Sequence, residues 1–286
     1  MLLRIVTAAV LIPVVVALVW FAPPLVLAGA AALAGGLALV EFFDLGERLG
    51  ARPYRKWTLA CSVLLFYAQY SLGRVETHSV SEGVSLIRNA AGGLLPLDAV
   101  PLIFLFGCVC LGLATRGSLQ EVLPSVSVSA ASLVFVVFPF SYLVRINEIP
   151  IVGRQLVLFT LCLIWAGDML AYFVGKGLGR VPMAPTLSPK KTWEGALGNL
   201  FASLLVAVLF ARWMEIDIVN MMIVAALGNV AGQMGDLIES AFKRGASVKD
   251  SGSIVPGHGG MYDRIDSLIL AAPVVWAAYQ WFLTPR

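Results

Sequence analysis

Between Gly235 and Ser267 the chain gathers five acids (Asp236, Glu239, Asp250, Asp263, Asp266), four bases (Lys243, Arg244, Lys249, Arg264) and His258, one of its two histidines. No other stretch of that length carries so many charges, in a chain of 286 residues that is only 13% charged. Carboxylates hold hard cations such as Mg²⁺ through oxygen, and Lys and Arg neutralise phosphate oxygens. Acids and bases mixed beside apolar segments therefore point to metal ions and phosphates. Asp236 and Glu239 are three residues apart, as are Asp263 and Asp266, so each pair shares one helix face. A charge inside a membrane costs roughly 2.5–3.5 kcal/mol on insertion scales and usually faces a cavity or a partner. Asp236, Asp263 and Asp266 together predict a divalent-ion site, with substrate phosphate as a further ligand. Asp168 or Glu239 alone is equally well read as a carboxylate paired at the membrane edge.

Lys243 follows Asp236 by seven residues, which returns it to the same helix face. With Arg244 and Lys249 it could meet phosphate nearer the water. Glycines in the run Ser251–Gly260 suit tight turns and also suit backbone N–H groups that approach phosphate. His258 fits either a solvated loop residue or a phosphate donor. A second basic loop runs from Gly175 to Gly195. There Ser188-Pro189 predicts a turn ahead of the next helix. Lys190 and Lys191 suit a membrane-edge anchor or a grip on polyphosphate. Gly175, Gly177 and Gly179 follow an apolar span rather than a strand, so they do not make a dinucleotide-binding turn.

These groups have to be positioned by apolar elements, because 59% of the chain is hydrophobic, against about 45–50% in soluble domains. The fold class expected is all-α, a polytopic integral membrane protein with about nine spans. They lie near 2–22, 25–45, 57–73, 98–114, 123–144, 155–175, 196–213, 218–241 and 267–283. Gly35-Gly36 and Pro139 interrupt two of them and suggest kinks or close packing. The whole reads as one integral domain, 1–150 carrying N-terminal spans and 151–286 the chemistry. With nine spans, alternate loops collect Arg4; Arg48, Arg52, Arg55, Lys56; Arg116; Lys176, Arg180, Lys190, Lys191; and Lys243, Arg244, Lys249, Arg264. That is fourteen of the twenty Lys and Arg residues, so this side is expected to be cytoplasmic. A net charge of +3 is too small to argue for nucleic acid. The four cysteines all sit in apolar runs and read as buried thiols. His78 reads as solvated. A transporter would place acids near the bilayer midplane and often carry inverted repeats, and neither pattern is visible here.

The run S-A-F-K-R-x4-K-D-S-G-S-x2-P-G-H-G-G-x-x-D-R-I-D closely resembles the signature of the phosphatidate cytidylyltransferases. The blocks S-P-K-K-T-W-E-G, from Ser188, and D-M-L-A-Y-F-V-G, from Asp168, resemble that family too. Val255 is a conservative departure, where a bulkier aliphatic is expected. The matching blocks cover about 168–195 and 235–267. The resemblance implies that CTP and phosphatidic acid give CDP-diacylglycerol and pyrophosphate, with Mg²⁺ and room for a second cation such as K⁺. It also implies a homodimer of nine-span subunits in the bacterial inner membrane. Carried onto this chain, the metal-binding acids fall on Asp236, Asp263 and Asp266, and the phosphate-binding bases on Lys243, Arg244 and Lys249. Ser188, Lys190, Lys191, His258, Arg264, Asp168 and Glu194 complete the expected substrate-binding set. A related enzyme acting on another lipid phosphate keeps the same chemistry.

Overall fold

The computed structural model describes residues 2–81, 96–114, 118–254 and 259–284. His258 and the side chain of His78 lie outside the described residues, as do Arg88 and Arg116. The chain forms two compact units. One comprises Met1–Ile151 with Asp250–Arg264, and the other Val152–Lys249 with Ile265–Arg286.

The first unit opens with α1 (Leu2–Phe21) and α2 (Pro24–Arg48). Proline at the first helical position suits α2, because that N–H has no partner within the helix anyway. Then come α3 (Arg55–Ser81) and α4 (Ala99–Leu113). A helical run from Leu119 to Asn147 follows, comprising α5 (Val122–Ser132), a π-helical segment (Leu133–Val137), α6 (Phe138–Phe140) and α7 (Tyr142–Asn147). Pro139 explains the irregularity. It has no N–H to donate, and its ring displaces the carbonyl four residues back, at Phe135 in the π-helical segment. Gly35-Gly36 does not interrupt α2. Gly35 instead lets Phe66 approach so closely that a Cβ there would stand 2.8 Å from the ring. Leu39, Phe43, Val136 and Ile146 of the same unit are fully buried. Two hydrogen bonds tie neighbouring elements: Trp57 Nε1 donates to the Phe104 carbonyl (3.1 Å), and Tyr54 N donates to Ser129 Oγ (2.8 Å).

The second unit is built on α8 (Gly153–Leu178), α9 (Trp193–Met214), α10 (Ile218–Gly245) and the part of α11 (Tyr262–Phe282) from Ile265 onward. Small residues bring these helices close, as is common in membrane bundles. Gly167 of α8 faces Asn199 and Ser203 of α9, and Gly228 of α10 faces Val275 of α11. Between α8 and α9 lies an antiparallel hairpin of β1 (Pro182–Ala184) and β2 (Ser188–Thr192). Ser188-Pro189, expected in a turn, therefore opens a strand. A two-stranded sheet has only edge strands, and an edge tolerates a proline that cannot donate to the ladder. Thr192 ends β2 and caps α9 by accepting from Gly195 N (3.1 Å).

Each of the nine expected spans falls on helix among the described residues. Among the described residues, six helical runs are long and apolar enough to cross a membrane: Pro24–Arg48, Leu119–Asn147, Gly153–Leu178, Trp193–Met214, Ile218–Gly245 and Tyr262–Phe282. Ala9–Phe21 and Ala99–Leu113 are shorter apolar helices. Large side chains such as Leu33, Phe106, Phe173 and Leu209 are exposed on these helices, which suits a lipid surround.

Candidate active site

In the second unit, α8, α9, α10 and the hairpin enclose a cavity of about 280 Å³. Asp168 and Tyr172 reach it from α8, Lys190 and Lys191 from β2, Asn199 from α9, and Gln233 and Asp236 from α10. Its central contact is an ion pair between Lys191 Nζ and Asp236 Oδ2. Both side chains keep over a quarter of their surface accessible, so the pair borders the open cavity rather than the core.

Asp236 also belongs to a second group. Carboxylate oxygens of Asp236, Glu239 and Asp266 lie within 4.8 Å of one another. The sequence expectation included Asp236 and Asp266 and left Glu239 open between a site residue and a carboxylate paired at the membrane edge. Here Glu239 is 1% exposed and pairs with Lys243 Nζ at 2.7 Å, one helical turn away. Two lysines thus offset two of the three acids, one from the hairpin and one from α10 itself. All three candidate donors are oxygen, and a hard divalent cation such as Mg²⁺ fits that donor set.

Behind the cavity wall runs a chain of side-chain amides. Asn199 Nδ2 donates to Asp168 Oδ1 (3.2 Å), and Asn229 Nδ2 donates to Asn199 Oδ1 (2.5 Å). Gln233 Nε2 donates to Asn229 Oδ1 (2.7 Å). These amides orient one another and fix the Asp168 carboxylate at the cavity. None was singled out from sequence. The available signal was three amides within apolar spans, with Asn229, Gln233 and Asp236 spaced to share one face of α10.

The other expected residues have definite surroundings. Arg244 is exposed and donates to two backbone carbonyls, Leu187 (3.3 Å) and Val248 (2.8 Å), tying α10 to the hairpin turn. Glu194, in the first turn of α9, accepts from Val181 N at 3.3 Å. Ser188 pairs with Ala184 across the hairpin, and Lys249 and Arg264 are exposed. Asp263 belongs to the first unit, where its Oδ2 accepts from Gly260 N (2.8 Å), Ser251 N (3.0 Å) and Ser251 Oγ (3.0 Å). Ser251 Oγ also stands 2.7 Å from Oε2 of Glu41, an α2 residue that the sequence reading passed over. An acid inside an apolar run was the signal for it.

Apolar helices, a carboxylate cluster and a lysine-lined cavity define a multi-pass membrane protein with a charged cavity. The model of the cytidylyltransferase family matches residues 2–282, and the chain belongs to that family. It is similar to the phosphatidate cytidylyltransferase of Bacillus subtilis (strain 168), 39% identical over 139 residues, which are 48% of this chain and 52% of that protein. The phosphatidate cytidylyltransferase of Rickettsia bellii is 37% identical over 152 residues, 50% of this chain and 65% of the relative. That of Haemophilus influenzae is 42% identical over 130 residues, 43% and 45% respectively. The matched stretches span about half the length of these relatives.

Proposed function

We propose that the chain is a phosphatidate cytidylyltransferase acting at the cytoplasmic face of a bacterial inner membrane. A phosphate oxygen of phosphatidic acid attacks the α-phosphorus of CTP and forms a new P–O–P bridge. The bond from that phosphorus to the bridging oxygen of the β-phosphate breaks, and pyrophosphate carries away the electron pair. Such transfers depend on positioning and on neutralising charge more than on covalent help from the protein. The Lys191–Asp236 cavity, continuous through Asp236 with three clustered carboxylates, is the observation that carries the reading.

Asp236, Glu239 and Asp266 would hold Mg²⁺, which when bound neutralises charge on the reacting phosphates. Asp263 takes a metal role from the family resemblance, as does any second cation such as K⁺. Lys191 can exchange its partner Asp236 for a phosphate oxygen, and Lys190 borders the same space. The amide chain holds Asp168 toward bound nucleotide. Lys243, Arg244 and Lys249 are proposed at phosphate on their sequence pattern and the resemblance, and Ser188, His258, Arg264 and Glu194 elsewhere in the substrate site. The same reading carries nine spans, a cytoplasmic N-terminus and a homodimer.

The test uses purified protein in detergent with CTP, Mg²⁺ and phosphatidic acid. Pyrophosphate release that needs both substrates is expected. Release with an isoprenoid lipid phosphate but not with phosphatidic acid would move the assignment to another acceptor. Ion flux in liposomes with no CTP turnover would overturn it.

A further inference from the structure

Glu41 lies in the last third of the apolar helix α2, yet it is only 2% exposed. A buried carboxylate needs donors, and among the described residues those of Glu41 come from Ser251, Met261 and Tyr262, far away in sequence. Glu41 Oε1 accepts from Met261 N (2.8 Å), and Oε2 accepts from Tyr262 N (2.9 Å). Ser251 Oγ lies 2.7 Å from the same Oε2. These partners are 210 to 221 residues away in sequence. The loop is shaped to admit the carboxylate. A Cβ on Gly252 would stand 2.6 Å from Glu41 Oε1, and one on Gly260 would collide with Oε2. Two of the signature glycines therefore make room for an acid, which is a different task from cradling phosphate.

The same loop holds Asp263. Ser251 Oγ stands between the two carboxylates, within hydrogen-bond distance of Glu41 Oε2 and of Asp263 Oδ2. Gly260 N donates to Asp263, and the next two backbone N–H groups donate to Glu41. Moving Glu41 would therefore move both ends of the loop and the hydroxyl that orients Asp263.

We infer that Glu41 is a positioning residue for nucleotidyl transfer, fixing the backbone at Met261 and Tyr262 and setting the Asp263 carboxylate through Ser251. The inference rests on the proposed cytidylyltransferase activity for its kinetic consequence, but its structural half does not need that activity. Glu41 touches no reacting atom in this reading.

The test pairs kinetics with loop accessibility. Glu41→Gln keeps the shape of the side chain but turns one acceptor into a donor that faces loop N–H groups. Turnover at saturating CTP and Mg²⁺ is expected to fall about 100-fold, the scale of a misplacement near 1 Å, with KM for CTP changed less than about threefold. Glu41→Asp, which keeps both acceptors, is expected to recover part of that loss. Ser251→Ala removes only the bridge and should lower turnover about tenfold. Gly260→Ala should imitate Glu41→Gln from the loop side. In a Cys110→Ser, Cys162→Ser background, a thiol placed at exposed Ser253 should react faster in Glu41→Gln than with Glu41 present. Cys61 and Cys108, at 0% and 2% exposure in the same unit, should stay protected in both. Near-normal turnover with unchanged Ser253 labelling in Glu41→Gln would overturn the inference. So would loss of turnover with Cys61 and Cys108 exposed, which would make Glu41 a residue of the fold in general. If the parent protein turns over no CTP, the functional proposal fails, and the labelling still decides whether Glu41 holds the loop.

Discussion

The cavity of the second unit and the loop of the first both depend on carboxylates, but they satisfy them differently. In the cavity, Asp236 meets Lys191, and beside it Glu239 meets Lys243. These are pairs between long, flexible cations and acids. A lysine can leave its acid for a phosphate, because phosphate offers the same charge and better acceptors. In the loop, Glu41 and Asp263 accept mainly from backbone N–H groups and a serine. Those donors cannot leave without unfolding the loop. Exchangeable partners suit a place where ligands arrive, and committed partners suit a place that must keep its shape. The sign of the charge is shared, and the identity of the donor separates the two tasks.

Asp236→Asn should break the cavity side of the comparison most severely. It removes charge from both the Lys191 pair and the carboxylate cluster, and turnover should fall about 10³-fold or more. Monodispersity in detergent should be kept, because the site is open. Turnover within tenfold of the parent at saturating Mg²⁺ would remove Asp236 from the chemistry. Asp263→Asn tests the loop side in the same assay, and loss of turnover with expression intact is expected. Near-normal turnover there would confine Asp263 to holding its loop.

Glu239→Gln sharpens the contrast between pairs within the second unit. It takes the carboxylate charge from beside buried Lys243, and breaking a buried pair costs about 3–5 kcal/mol, so a clear drop in the thermal midpoint should follow. An unchanged midpoint would show that Lys243 finds another partner. Lys191→Ala should leave the midpoint nearly unchanged and raise KM for CTP or for phosphatidic acid about tenfold. If neither KM moves, Lys191 is a membrane-edge anchor. The smallest expected effect belongs to Asn229→Ala. It takes one hydrogen-bond partner from each of Asn199 and Gln233 behind the cavity and should cost about 1–2 kcal/mol of stability, read from the same melts, with turnover lowered less than tenfold.

Much of this was legible in the residues. Helices at all nine expected places follow from runs of apolar side chains, a local property of the chain. The charged stretch from Gly235 to Ser267 stood out because charge beside a membrane is costly and so is kept for a purpose. Asp236 and Asp266 were named before their clustering with Glu239 was visible. Lys191 was named too, but its partner was not. Lys243, seven residues from Asp236, shares its helix face by spacing and was expected to reach phosphate. The nearer acid Glu239, one turn away, holds it instead.

What sequence by itself determined, then, is which segments leave water and which charges must be accommodated, because both depend on desolvation cost, residue by residue. Only the tertiary structure decided which partner each charge receives. Glu41 and its loop are separated by more than two hundred residues, and the amides behind Asp168 come from different helices. Helical periodicity reaches only a turn or two along a chain, whereas a buried carboxylate takes its donors from whatever the packing brings within 3 Å.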